Sequence, residues 1–237
     1  MKRSIPLLDT MTLDWQTTAG PVARKLVNGD PAAGPHTMLL RSQPRTIPES
    51  KAQYHGVAEE FLCLEGGFTF DGTIWMRRFS YAYYPAGTVH GAHVVVPDGY
   101  LMYLRFAGSV TTQPVPEPLQ TSAYTTAMSP EGEAVTILSD ALPTGKGPGV
   151  RILRSDPTTG GGATMVRLGG CMETISQGRP GPLEIFVVQG SVEANDCRHF
   201  GPGFYAYDDH VDAVAIRASR DAVLIVHHAG PLTLNGA

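Results

Sequence analysis

Cysteine is scarce in this chain of 237 residues: it has Cys63, Cys171 and Cys197. Three thiols suit neither a disulfide framework nor a cysteine-rich zinc site. Reduced thiols in a cytoplasm are the expectation. Basic charge is also scarce. With 18 Lys and Arg against 22 Asp and Glu, the net charge is −4, so no electrostatic footprint for nucleic acid is present. No apolar run approaches the roughly 20 residues of a membrane helix. The opening MKRSIPLLDTMTLDW lacks the sustained apolar stretch of a secretory signal. Nucleic acid and membrane are therefore not expected as partners, and a small molecule is.

Glycine and proline, by contrast, are abundant. The 27 Gly and 19 Pro make up about a fifth of the chain, against a usual share of roughly 12%. Frequent turns favour many short strands over long helices. Val22–Val27 reads as a strand ended by Asn28-Gly29-Asp30-Pro31, and His36–Arg41 as another. Gly99–Phe106 closes the series at Ala107-Gly108. The first 20 residues read as an arm that packs as an edge strand through Leu7, Leu8, Leu13 and Trp15. From Ser109 to about Gly147, Thr, Pro and Ser dominate, as in a connection between two units.

The second half echoes the first. Val22-Ala-Arg-Lys-Leu returns as Val150-Arg-Ile-Leu, Asp30-Pro31 as Asp156-Pro157, and Glu60–Gly66 as Glu184–Gly190. Tyr81-Ala-Tyr83 returns as Tyr205-Ala-Tyr207, and Ala107-Gly108 as Ala229-Gly230. The offset drifts from 128 (22 to 150) through 126 (30 to 156) and 124 (60 to 184) to 122 (107 to 229). A steady drift with small gaps is the mark of an internal duplication.

Chemistry concentrates between Gln53 and His93. His55, Glu59 and His90 are three metal-ligating types, presented at strand ends and after a turn, Pro85-Ala-Gly-Thr88. Two His and one carboxylate suit a facial metal site that leaves positions open for substrate and oxygen. Gln53 lies two before His55, so on a strand both share a face, and its amide is a possible fourth ligand. His93 is three beyond His90 and would face the other way in an extended segment. Tyr103 and Arg105 share one strand face, as do Tyr81 and Tyr83; with Arg41 these are candidates to line a substrate pocket and hold a carboxylate or enolate.

The same residues resemble the cupin family. Gln53-Tyr-His55, Glu59 and Gly66 fit its first motif, with Gln in place of the leading His. Pro85, Gly87 and His90 fit the second, although Phe79 stands where a glycine is expected. Glu59 is preferred to Glu60 because its count to Gly66 fits, and because Glu60 is echoed at Glu184. With the duplication, the resemblance implies an all-β bicupin: two jelly-roll barrels in tandem. Residues 1–110 would be a metal-binding cupin, 111–147 a linker and 148–237 a degenerate cupin. In the second copy Glu59, His55 and Gln53 become Leu183, Arg179 and Gln177, and the turn becomes Asp208-Asp-His-Val-Asp212, read as solvated.

The wider resemblance is to ChrR-like cupins and to diketone or hydroxyacetophenone dioxygenases. It implies a divalent metal, with Fe(II) favoured and Zn, Mn or Ni as alternatives. The implied reaction is a dioxygenase type on a β-diketone, hydroxyketone or enol. A non-redox isomerase, decarboxylase or lyase, or a non-catalytic binding cupin, remains the alternative. Exposed sheet edges make a homodimer an expectation.

Overall fold

In the computed structural model the described residues are 2, 4–18, 20–47, 51–91, 94–115, 134–145, 147–193, 199–219 and 221–236. They fold almost wholly as β-strands, with one 3-10 turn at Thr10–Thr12 and no α-helix among them. Among the described residues no helix is long and apolar enough to cross a membrane. Two compact units result. One comprises Met1–Lys2 and Asp14–Asp140, the other Arg3–Leu13 and Ala141–Ala237.

That division departs from the boundaries expected at 110 and 148. Ile5–Asp9 is indeed an edge strand, but it pairs with Phe204–Ala218 of the second unit, Asp9 opposite Phe204. Leu7 packs into that unit's core. Trp15 stays with the first unit, under Lys25 and Arg41 at 4.8 and 4.2 Å from its ring centre. Part of the expected linker is structural as well. Thr136–Leu138 pairs with Tyr81–Tyr84, adding a strand to the first unit's sheet. Residues 116–133 and 146 of the linker lie outside the described residues, as do His93 and Cys197.

The first unit's main sheet runs Thr136–Leu138, Tyr81–Tyr84, Glu59–Thr69, Tyr100–Phe106, His36–Ser42, Val22–Gly29. Its inner face is set by alternation. Phe61 and Cys63 join Tyr100, Met102, Leu104, Phe106, Met38 and Tyr84 in one buried cluster. Glu59 shares the parity of Phe61 and Cys63 and pairs with Phe106, so its side chain is carried to the same inner face.

The duplication is visible in the hydrogen-bond ladder. The second unit's order, Gly149–Ser155, Gly162–Arg167, Val223–His228, Met172–Gln189, Phe204–Ala218, matches in reverse the five strands from Tyr81–Tyr84 to Val22–Gly29. Leu104 faces Phe61, and Val226 faces Ile185. Phe61 faces Ala82, and Ile185 faces Ala206. These pairs reproduce the offsets of 122 and 124. For the first strand the register corrects the sequence alignment: Lys25 faces Leu39 as Arg151 faces Met165, an offset of 126 rather than 128. Even the bulge recurs, between Leu26 and Asn28 and between Ile152 and Arg154. Gly66 and Gly190 both turn with positive φ, 67° and 72°. A Cβ on Gly66 would sit 2.0 Å from the Gly99 carbonyl oxygen, so only glycine fits there.

Candidate metal centre

Two short elements bring the histidines together. Gln53–His55 is tied to the turn that carries His90 by reciprocal backbone bonds: Gln53 N–H donates to His90 O and His90 N–H to Gln53 O, each 2.9 Å. The turn is closed by Thr88, whose N–H and hydroxyl donate to Pro85 O at 3.1 and 2.7 Å. Gly87, at φ 80°, donates its N–H to His55 O at 2.8 Å. Pro fixes the entry, Gly allows the reversal, and the backbone of one histidine holds the loop of the other.

His55 Nε2 and His90 Nε2 each lie 3.7 Å from Glu59 Oε2. Their rings sit 5.3 Å apart, and the three donor atoms lie within 4.8 Å of one another. The far ring nitrogens are engaged: His90 Nδ1 with Thr88 O at 3.0 Å, His55 Nδ1 with Thr112 Oγ1 at 3.4 Å. Such partners orient an imidazole so that Nε2 is left for a metal. All three residues are buried.

The electrostatics explain what the site lacks. Glu59 Oε2 is buried with no hydrogen-bond partner, a costly state for a carboxylate. Burial pushes its pKa up to about 8. Burial, and then neighbouring His55, push His90 down to about 4, and burial lowers His55. Both imidazoles are therefore neutral at neutral pH, the form that ligates metal, while the carboxylate needs a positive charge. His55, Glu59 and His90 would hold a dication, which would supply that charge. The residues thus fit a metal of the two-His, one-carboxylate kind.

Beyond the triad opens a cavity of about 490 Å³ whose lining includes Gln53, Phe70, Tyr100 and Phe106. Gln53 therefore sits where a fourth ligand or a substrate contact would. Tyr103 and Arg105 do not line the cavity. In Tyr100–Phe106 the even-numbered residues face the inner cluster, so the two candidates point the other way. There Glu60 accepts the Tyr81 hydroxyl at 2.6 Å and faces Arg105 at 3.6 Å, which gives Glu60 a structural place. Tyr81 is fully buried in that network, and Arg41 is spent on Trp15. Sequence reasoning missed the cations that do line the cavity, Arg24, Arg45 and Lys51, together with Tyr100. For Tyr100 the strand register supplies the side: it shares the parity of Phe106, the partner of Glu59.

In the second unit Leu183 faces His228 and Asp208, as Glu59 faces Phe106 and Tyr84. Arg179, in the place of His55, is exposed and donates its Nε–H to Ala229 O at 2.9 Å. Gln177 is consumed by backbone: its amide NH2 donates to Gly181 O and Val211 O, and its oxygen accepts Ala229 N–H. Asp208–Asp212 lies within the strand Phe204–Ala218 rather than in a turn, and its acids are exposed. The triad is the one metal-type cluster among the described residues.

These features define a cupin fold, twice over, with one cluster of metal-ligating residues among the described residues. Residues 5–111, a little under half of the chain, match the family described as the ChrR cupin-like domain. Among solved structures it is similar over its full length to a candidate dioxygenase of Nostoc punctiforme, at 16% identity, TM-score 0.73 and 91% of that chain. It is also similar over 99% of its length to oxalate decarboxylase of Bacillus subtilis, at 12% identity, TM-score 0.63 and 78% of that chain. A further structure of the latter enzyme concerns its Mn(II) centres; there the identity is 12%, the TM-score 0.62 and the coverage 99% of this chain and 80% of that one. At these identities the likeness establishes the fold. No curated protein matches the chain.

Proposed function

We propose that the first unit is a metal-dependent catalytic centre that turns over a small oxygenated organic molecule, with Fe(II) as the metal and a dioxygenase-type reaction. One observation carries this reading: the buried, unpartnered Glu59 oxygen stands between two Nε2 atoms on the wall of a small-molecule-sized cavity. Held by His55, Glu59 and His90, Fe(II) would supply positions where oxygen and an enol or hydroxyketone oxygen could meet.

The chain's own residues do the rest. Thr88 O and Thr112 Oγ1 fix the two imidazole planes, and Gln53 offers its amide beside the triad. Phe70 and Phe106 shield the centre from water: Phe106 lies edge-on to His55 at 5.5 Å, and Phe70 lies 5.8 Å from His90. A non-redox lyase or decarboxylase is the second reading, favoured by Gln53 standing where the family pattern has a third imidazole.

Metal content and oxygen uptake separate the readings. Protein purified without a tag should hold about one Fe per chain, lose it as His90→Ala, and consume oxygen with a β-diketone or aryl hydroxyketone. Stoichiometric Mn or Zn with turnover but no oxygen uptake would favour the second reading, and absence of any metal would remove both.

A further inference from the structure

The cavity beside the triad is unbalanced in charge. Glu59 is the one carboxylate among the described residues that line it, and it belongs to the metal cluster. Arg24, Arg45 and Lys51 also line it. Arg24 and Lys51 are exposed at the rim, whereas Arg45 is half-buried and has no carboxylate partner among the described residues. Its Nε is buried with no hydrogen-bond partner. A buried guanidinium N–H without an acceptor costs free energy until something accepts from it.

Arg45 is held in place from behind. It opens the strand Arg45–Ile47, which pairs with Val94–Val96, Arg45 opposite Val96. The Tyr100 phenol lies close to both centres. Burial chiefly raises its pKa, the charge of Arg45 and a side-chain hydrogen bond to it pull the other way, and Glu59 adds to the rise, so the phenol engages part of the guanidinium while Nε stays without an acceptor. The cavity wall also carries apolar side chains, Met38, Leu40, Phe70, Val94 and Leu104.

We infer that the substrate is a small organic acid. Its oxygenated head engages the metal, and a separate carboxylate is clamped by Arg45 through Nε and a terminal N–H, with Lys51 and Arg24 adding attraction at the rim. The inference rests on the metal-centred reading above and narrows it. A neutral diketone would leave the Arg45 N–H unpaired, whereas a carboxylate meets the guanidinium fork with two charge-assisted bonds. The apolar side chains of the wall take the carbon skeleton.

Two probes with one β-diketone head isolate the clamp: 4,6-dioxoheptanoate and its neutral amide, 4,6-dioxoheptanamide. Their dissociation constants would be measured by calorimetry without oxygen, on the protein carrying whatever metal it retains. The wild type should bind the acid about tenfold or more tighter than the amide. Arg45→Gln should erase the preference while leaving metal content unchanged, and Arg45→Lys should keep part of it. Equal binding of the two probes by the wild type, whether tight or undetectable, would overturn the inference. So would a preference that survives Arg45→Gln. A metal-free protein that still prefers the acid would defeat the proposed function and leave the Arg45 clamp standing.

Discussion

The two units share a strand order, a register and a bulge, yet one presents His55, Glu59 and His90 where the other presents Arg179, Leu183 and an uninterrupted strand. The frame therefore does not depend on the site. Leu183 fills the place of Glu59 among Ile185, Val187 and Val226 as ordinary core. Glu59 in the same ladder position carries an unsatisfied oxygen. A site of this kind is a local cost in free energy that a frame held by strand pairing and burial can bear, and from which the second copy has been relieved.

That contrast can be broken from either side. The largest effect should come from the ligands. His90→Ala or Glu59→Gln should remove metal and lower turnover by about a hundredfold or more, read by metal analysis and steady-state rates. The reciprocal change in the other unit should hurt stability instead: Leu183→Glu buries a carboxylate in an apolar cluster, opposite a His228 whose ring nitrogens are already engaged by Thr164 Oγ1 and Gly230 O, and should cost about 3 kcal/mol in denaturant unfolding. Glu59→Leu, conversely, should stabilise the metal-free protein by about 1–2 kcal/mol while abolishing metal binding. If Leu183→Glu proves neutral, the two positions are not equivalent.

The pH dependence sharpens the same comparison. A carboxyl whose folded pKa is raised contributes stability that is complete below its unfolded pKa and is lost as pH rises through the folded one. For Glu59 that window runs from the ordinary carboxyl value of 4.5 up to about 8. Metal reverses the preference by favouring the carboxylate, so the gap in melting temperature between metal-loaded and chelated protein should widen from pH 6 to pH 8. Glu59→Leu should abolish the widening.

The smallest effect concerns Phe79, which replaces a glycine of the motif. Its backbone keeps the left-handed conformation, φ 68°, disfavoured by about 1–2 kcal/mol for a residue with a Cβ. Phe79→Gly should raise stability by about 0.5–1 kcal/mol, net of lost side-chain contacts. A decrease would show that the ring, stacked under Arg78 at 4.4 Å, matters more.

The triad was legible in the sequence because motif spacing records it: a turn with Pro85 and Gly87 must deliver His90 at a fixed place. The duplication was legible because paired echoes drift together. Parity in Tyr100–Phe106 was not. That strand is buried on both faces, Tyr103 as fully as Met102, so hydrophobic alternation offers no choice of side. The pairing of Ile5–Asp9 was also hidden, since an edge strand can dock on any open sheet edge. Arg24, Arg45 and Lys51 come from separate segments without a motif, and only the closed barrel brings them to one cavity.

The central claim is that one ion binds between His55, Glu59 and His90 and that the second unit binds none. Anomalous diffraction from crystals of the untagged protein, collected above and below the metal absorption edge, tests it most directly. The account predicts a single peak in bonding contact with His55 Nε2, His90 Nε2 and a Glu59 oxygen. A fully ordered triad with no peak between its side chains, or a peak beside Leu183, would contradict it.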